Sequence, residues 1–238
     1  MGTLINTIAI IVGGVLGMLF GNILKERHQQ SLTMACGISV LFIGITGALE
    51  GLLVIENNSI ASTNSMMLVI CLAVGALIGE ILNIEDKFER FGEWLKQKTG
   101  NAKDKMFVEG FVSASLTVCI GAMAIVGSLE DGLTGDYSVL AIKAILDLII
   151  IMVMTTSLGK GAAFSAIPVF LFQGSITLLA RFIEPFMTET ALFNLSTVGN
   201  VLIFCVGLNL VWGKKVRVAN LLPAVVVAIA MAFLPINL

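Results

Sequence analysis

The stretch TLINTIAIIVGGVLGMLFGNIL (3–24) runs 22 residues without one charged side chain. An α-helix needs about 20 such residues to cross the hydrocarbon core of a bilayer, so this segment predicts a membrane-spanning helix. It lacks the basic lead-in and small-residue cleavage pattern of a secretory signal and is longer than a signal's apolar region, so it is expected to be retained. Asn6 stands where a myristoylation signal needs a hydroxyl.

The rest of the chain has the same character. Its 238 residues are 57% hydrophobic and only 13% charged, with a formal net charge of −2 and a mean hydropathy of +1.00. A soluble domain needs far more charge to cover its surface, and disordered, collagenous and disulfide-scaffold chains fail on hydropathy, glycine period and cysteine count. Nothing in this balance suggests a nucleic-acid partner; the expected partners are the lipid bilayer and a small ion or solute. Apolar stretches fall at about 3–24, 32–55, 64–83, 107–129, 137–157, 161–183, 195–213 and 218–236. The expected fold is an all-α, polytopic integral membrane protein of about eight transmembrane helices.

Twelve of the fourteen basic residues fall in alternate links: Lys25 and Arg27, the six between 84 and 106, Lys160, and the Lys214, Lys215, Arg217 group. The other links carry Glu56, then Glu130, Asp131 and Asp136, then Glu184 and Glu189, with no Lys or Arg. Because basic residues in short loops stay in the cytoplasm, this alternation predicts both termini outside it and an even number of spans. The longest link contains IEDKFERFGEWLKQKTG (84–100), where Phe88, Phe91 and Leu95 share a helical face flanked by Trp94. It reads either as an amphipathic helix on the inner leaflet or as a solvated basic linker. The expected organisation is three spans in 1–83, a cytoplasmic amphipathic link in 84–106, and five spans with the candidate site in 107–238.

Gly13, Gly17 and Gly21 repeat at helix-packing spacing, as do Gly75 and Gly79, and such faces pack closely within a chain or against a second copy, making a homo-oligomer a candidate assembly. GGVLGMLFGNIL (13–24) resembles AVGALIGEILNI (73–84), and CIGAMAIVG (119–127) resembles CVGLNLVWG (205–213). The second pair runs in opposite directions under the charge-derived topology, the pattern of an inverted repeat, although Gly- and Val-rich helices also match by chance.

Ionisable groups inside hydrocarbon are costly and point to function. Asp147 lies about 15 Å into its span, near the bilayer midplane, with Lys143 one turn earlier. The two can pair, either as a neutral packing contact or as part of a pathway. The next span carries Ser165, Pro168 and Gln173; Pro168 removes a backbone donor and predicts a broken helix, and Gln173 comes to a depth close to that of Asp147. Asn209 adds another amide. Carboxylates, amides and freed carbonyls replace the hydration shell of a cation or bind a small polar solute, and each polar residue taken singly also reads as helix-to-helix glue.

No enzyme signature is present. The one histidine, His28, lies in a link, so neither a zinc-protease helix nor a Ser/His pair can form within a span, and GxSxG, Walker and GxGxxG patterns do not occur. The cysteines, Cys36, Cys71, Cys119 and Cys205, stand singly within spans and read as packing residues. No metal or cofactor is expected.

GTLINTIAIIVGGVLGMLFG (2–21), SASLTVCIGAMAIVGSLEDGLTGD (113–136) followed by the Lys143/Asp147 pair, and FSAIPVFLFQGSITLLA (164–180) together resemble the YdfK/YqgA family of bacterial inner-membrane proteins. The resemblance extends over essentially the whole chain. It implies a polytopic bacterial inner-membrane protein with a suggested transport role, and no functional residues carry over. Two functions are therefore expected as alternatives: a transporter or channel for a small ion or polar solute centred on Asp147, or a non-transporting scaffold or regulator.

Overall fold

The structure is a computed structural model and describes residues 1–23, 25–56, 59–120 and 122–234. Leu24, residues 235–236 of the last expected span and the side chain of Glu56 lie outside the described set. Helix α1 (Gly2–Ile23) and α2 (Glu26–Leu52) are followed by a hairpin of β1 (Leu53–Glu56) and β2 (Ser59–Ser62), then α3 (Ser65–Leu82) and α4 (Ile84–Lys98). The second half consists of α5 (Phe107–Cys119), α6 (Ala122–Leu133), α7 (Ser138–Leu158), a 3₁₀ turn (Lys160–Ser165), α8 (Ala166–Leu178) and α9 (Ala180–Ile183). A 3₁₀ turn (Glu184–Phe186), α10 (Glu189–Trp212), another 3₁₀ turn (Val218–Leu221) and α11 (Pro223–Met231) complete it.

Among the described residues, six segments are long and apolar enough to cross a membrane: α1, α2, α3, α7, α10, and α8 with the 3₁₀ turn before it. Helices α5 and α6, bent by 61° at the break between them, make a seventh candidate crossing. Together they run the length of α7: Gly110 of α5 meets Leu158 at one end and Gly127 of α6 meets Leu140 at the other. The eighth expected span, 218–236, differs. Its apolar helix covers only Val218–Met231, yet the segment runs from Asn220, against Gly79 at one end of α3, to Phe233, against Phe186 in the turn before α10. Hydropathy sees apolar length but not where a helix ends. The second expected span, 32–55, ends earlier than expected, at Leu52, since the β-branched Val54 and Ile55 leave the helix and pair with Ala61 and Ile60.

Small residues set the helix pairs. A Cβ on Gly13 would stand 2.4 Å from the Leu148 carbonyl oxygen, so α1 and α7 run with their backbones nearly touching. The face continues through Gly17 against Met152 and Thr155. Helix α2 packs on α10 in the same way, with Gly44 against the Phe204 backbone, and α3 on α11, with Gly75 against Ala224 and Gly79 against Asn220. Each early helix thus pairs with a late one, and the segments on either side of α4 interleave. The two segments behind the candidate inverted repeat differ in form: 119–127 crosses the α5–α6 break, whereas 205–212 lies in unbroken α10.

Helix α4 places Glu85 and Asp86 in its first turn and Lys96 and Lys98 in its last, matching the helix dipole. Its apolar side rests on protein, with Phe88 stacked on Phe111 at 5.7 Å and Leu95 buried. Trp94 is half exposed and stacks on Phe91. Elsewhere polarity is turned inward: on α8, Gln173 is fully buried while Leu178 is 86% exposed, as expected where the surrounding solvent is lipid.

Candidate functional site

Helix α7 carries two charged residues into the bundle. Their i, i+4 spacing puts Lys143 and Asp147 on one face, and both are buried. Lys143 Nζ donates to Asp147 Oδ2 at 2.5 Å and also to the Val118 carbonyl at 2.9 Å. Val118 lies in the last turn of α5, where carbonyls have no helical donor ahead of them and the helix dipole is negative, so a cation is favoured there. The break between α5 and α6 is thereby tied to the ion pair.

Asn6 of α1 joins from the other side. Its Nδ2 donates to Asp147 Oδ2 at 3.0 Å and to Gln173 Oε1 of α8 at 3.2 Å. Side chains from α1, α7 and α8 and a carbonyl from α5 therefore form one buried polar chain. Its capacity is not used up: Asn6 Oδ1, an acceptor, and Gln173 Nε2, a donor, have no partner among the described residues. An unmet buried polar group costs about 1–3 kcal/mol, so two within one cluster require an explanation.

Of the six residues the sequence singles out, Lys143, Asp147 and Gln173 come together here. Ser165 is fully buried at the junction of the 3₁₀ turn and α8; among the described residues its hydroxyl has no partner and no hydrogen bond links it to the cluster. Pro168 sits in the first turn of α8, where a missing N–H costs little; the irregularity is the 3₁₀ turn before it, and Pro168 lines an apolar cavity. Asn209 lies elsewhere. Its amide donates to the Val216 carbonyl at 2.7 Å and accepts from the Lys215 and Val216 N–H groups, binding the turn after α10. Asn6 is the residue that sequence reasoning missed. The available signal was an amide in the uncharged first span, on the same helix as the glycines that draw α1 onto α7.

A second polar region lies where the basic links gather. A cavity of about 280 Å³ is bordered by Glu85, Glu89, Lys105, Glu109, Ser113 and Lys214, among others. Lys214 pairs with Glu85 at 3.0 Å and with Glu89, while Glu85 Oε2 accepts from the Ala219 N–H at 2.8 Å. Burial by itself would lower the Lys214 pKa, but the hydrogen bonds and charges of the two glutamates outweigh it and raise the value above that of an ordinary lysine. At the opposite end, Asp131 accepts from the Met1 amine and the Gly2 N–H at 2.9 Å, so this carboxylate is spent on structure. Among the described residues, no three of His, Cys, Asp or Glu converge as metal ligands.

Residues 1–233 match the family model described as DUF554, a protein of unknown function. The chain belongs to the DUF554 family. It is similar to the uncharacterised membrane protein YdfK of Bacillus subtilis, 32% identical over 98% of this chain and 95% of the relative. It is also similar to the uncharacterised protein YqgA of Escherichia coli, 30% identical over 98% of this chain and 96% of the relative. The resemblance read from the sequence therefore holds along essentially its full length. No solved structure matches.

Proposed function

We propose that this protein is a transporter or channel for a small ion or polar solute, with the Lys143–Asp147 pair at its centre, and that it is not an enzyme. The carrying observation is the buried cluster in which Asn6 Oδ1 and Gln173 Nε2 lack partners among the described residues, beside a charge pair in the interior of α7. A proton, cation or small polar solute entering there would meet a carboxylate, an amide acceptor and an amide donor without having to break the helix ladders. Asp147 would bind or release the charged species, and Asn6 and Gln173 would orient it.

The same reading places the protein in the bacterial cytoplasmic membrane, with its basic links on the cytoplasmic side and both termini outside the cytoplasm. Observations favouring a scaffold are fewer. The glycine faces are filled by helices of the same chain, and α4 rests its apolar residues Phe88 and Leu95 inward rather than offering them to a partner.

The test is a melting screen of detergent-purified wild type and Asp147→Asn against ions and small polar metabolites. A compound that raises the wild-type midpoint, but not that of a well-folded mutant, supports the reading and names the substrate class. No shift across the panel, with both proteins folded, overturns it in favour of the scaffold.

A further inference from the structure

The α5–α6 break borders a second space, separate from the Asp147 cluster. A cavity of about 310 Å³ is lined by Ser115, Cys119, Ile120, Pro168, Phe172 and Val225, among others. Its walls are almost wholly apolar and come from α5, α6, α8, α10 and α11, with Phe88 of α4 also reaching it. A dry apolar cavity of about 150 Å³ already takes a ligand the size of benzene, and this one has about twice that volume. Phe172 and Val226 both line it and are exposed on the lipid-facing surface, so its wall is shared with the bilayer.

Two observations point to a ligand. Ser115 is 1% exposed, lines this cavity, and its hydroxyl has no hydrogen-bond partner among the described residues. The apolar cavity also adjoins the polar one: Leu116 borders both, and on α4 Phe88 lines the first while Glu85 and Glu89, within one turn on either side, line the second. An apolar chamber thus lies directly beside a charged one, with Leu116 between them. The charged chamber is bordered by three glutamates and two lysines, an excess of one negative charge. Lys214 is taken up by Glu85 and Glu89, whereas Glu109 has no ion pair within 4 Å among the described residues.

We propose that these two cavities form one binding site for a single-chain ester amphiphile, with its alkyl chain between α5, α8 and α11, its ester carbonyl accepting from the Ser115 hydroxyl, and an amine-bearing head group beside Glu109. The site is independent of the transport reading, since none of Asn6, Lys143, Asp147 or Gln173 lines either cavity.

The test measures binding of lauroyl lysophosphatidylethanolamine to the detergent-purified full chain, by native mass spectrometry and melting midpoint. Lauroyl lysophosphatidylglycerol, which has the chain without the amine, and glycerophosphoethanolamine, which has the head without the chain, are the comparisons. The expected result is one bound molecule per chain, at least tenfold tighter for the amine-bearing lysolipid than for the glycerol one, and no binding of the head alone. Val225→Phe, which fills the chamber, should weaken binding at least tenfold; Glu109→Gln should remove the preference for the amine while keeping chain binding. If Val225→Phe does not fold, Ser115→Leu fills the same space and removes the unpartnered hydroxyl. Wild-type binding by both filling variants, several equivalent copies of either lysolipid, or equal binding of the two head groups overturns the proposal. Binding of glycerophosphoethanolamine as tight as that of the lysolipid overturns it too, in favour of a site for polar solutes alone.

Discussion

Lys143 donates to the carbonyl of Val118, 25 residues earlier in the chain, and so joins the middle of α7 to the broken end of α5. The contact satisfies a carbonyl left by the break and gives the ammonium a second acceptor besides Asp147. Removing the lysine alone should therefore damage more than removing the pair. Lys143→Met is expected to cost about 3–5 kcal/mol, the usual penalty for stranding a buried charge. Lys143→Met with Asp147→Leu should recover much of that stability without restoring ligand response. Unfolding midpoints in detergent for the two variants check this; equal losses in both would refute the coupling.

Asn6 bridges Asp147 and Gln173, so the effects of its removal should not be additive with those of Gln173. Asn6→Leu is expected to destabilise by about 1–3 kcal/mol. Asn6→Leu with Gln173→Leu should cost less than the sum of the single changes, because neither then strands the other's amide. A double-mutant cycle on the melting midpoint gives the coupling directly.

Two glycines separate close packing from open space. A Cβ on Gly79 would fall 1.8 Å from the Asn220 carbonyl oxygen, whereas one on Gly174 meets only Thr3 Cγ2 at 3.9 Å. Gly79→Ala should force α3 and α11 apart and lower the midpoint sharply. Gly174→Ala should be neutral or stabilising by up to about 1 kcal/mol, from helix propensity. Parallel thermal melts decide it, and a tolerant Gly79 would contradict the α3–α11 contact.

Lys214 sets an alkaline limit. A lysine whose pKa is raised on folding contributes stability that is full below its unfolded value, about 10.4, and lost as pH rises through the folded value. Its side chain is 48% exposed, so solvent screening keeps the contribution modest. Lys214→Gln should lower the midpoint at neutral pH and flatten its decline at alkaline pH. Melts of wild type and variant across that range measure both effects.

Orientation is testable by labelling single cysteines introduced into a cysteine-free background. Lys98→Cys, at the end of α4 with the basic links, should react with an impermeant maleimide only after the cells are opened. Thr134→Cys, after α6, should react in intact cells. The reverse pattern would invert the proposed topology.

The site is only partly legible in the sequence. Lys143 and Asp147 stand out because charge in an apolar stretch is rare, and Gln173 follows because its depth can be counted along the next span. Asn6 does not stand out, because its role depends on which helix meets α1, and the pairing of α1 with α7 spans more than a hundred residues. Asn209 misleads for the opposite reason: an amide near a helix end looks available until the turn it binds is known.

Hydropathy, the alternation of charged links and glycine spacing by themselves determined a multi-span helical membrane protein with polar residues inside it. Those are properties of single segments in an apolar solvent, so local sequence suffices. Which early helix pairs with which late one, where the fourth span breaks, and which amides meet Asp147 were decided only by the tertiary structure. Lipid surrounds every apolar face equally well, so the choice among helix partners rests on close packing and on satisfying a few buried polar groups.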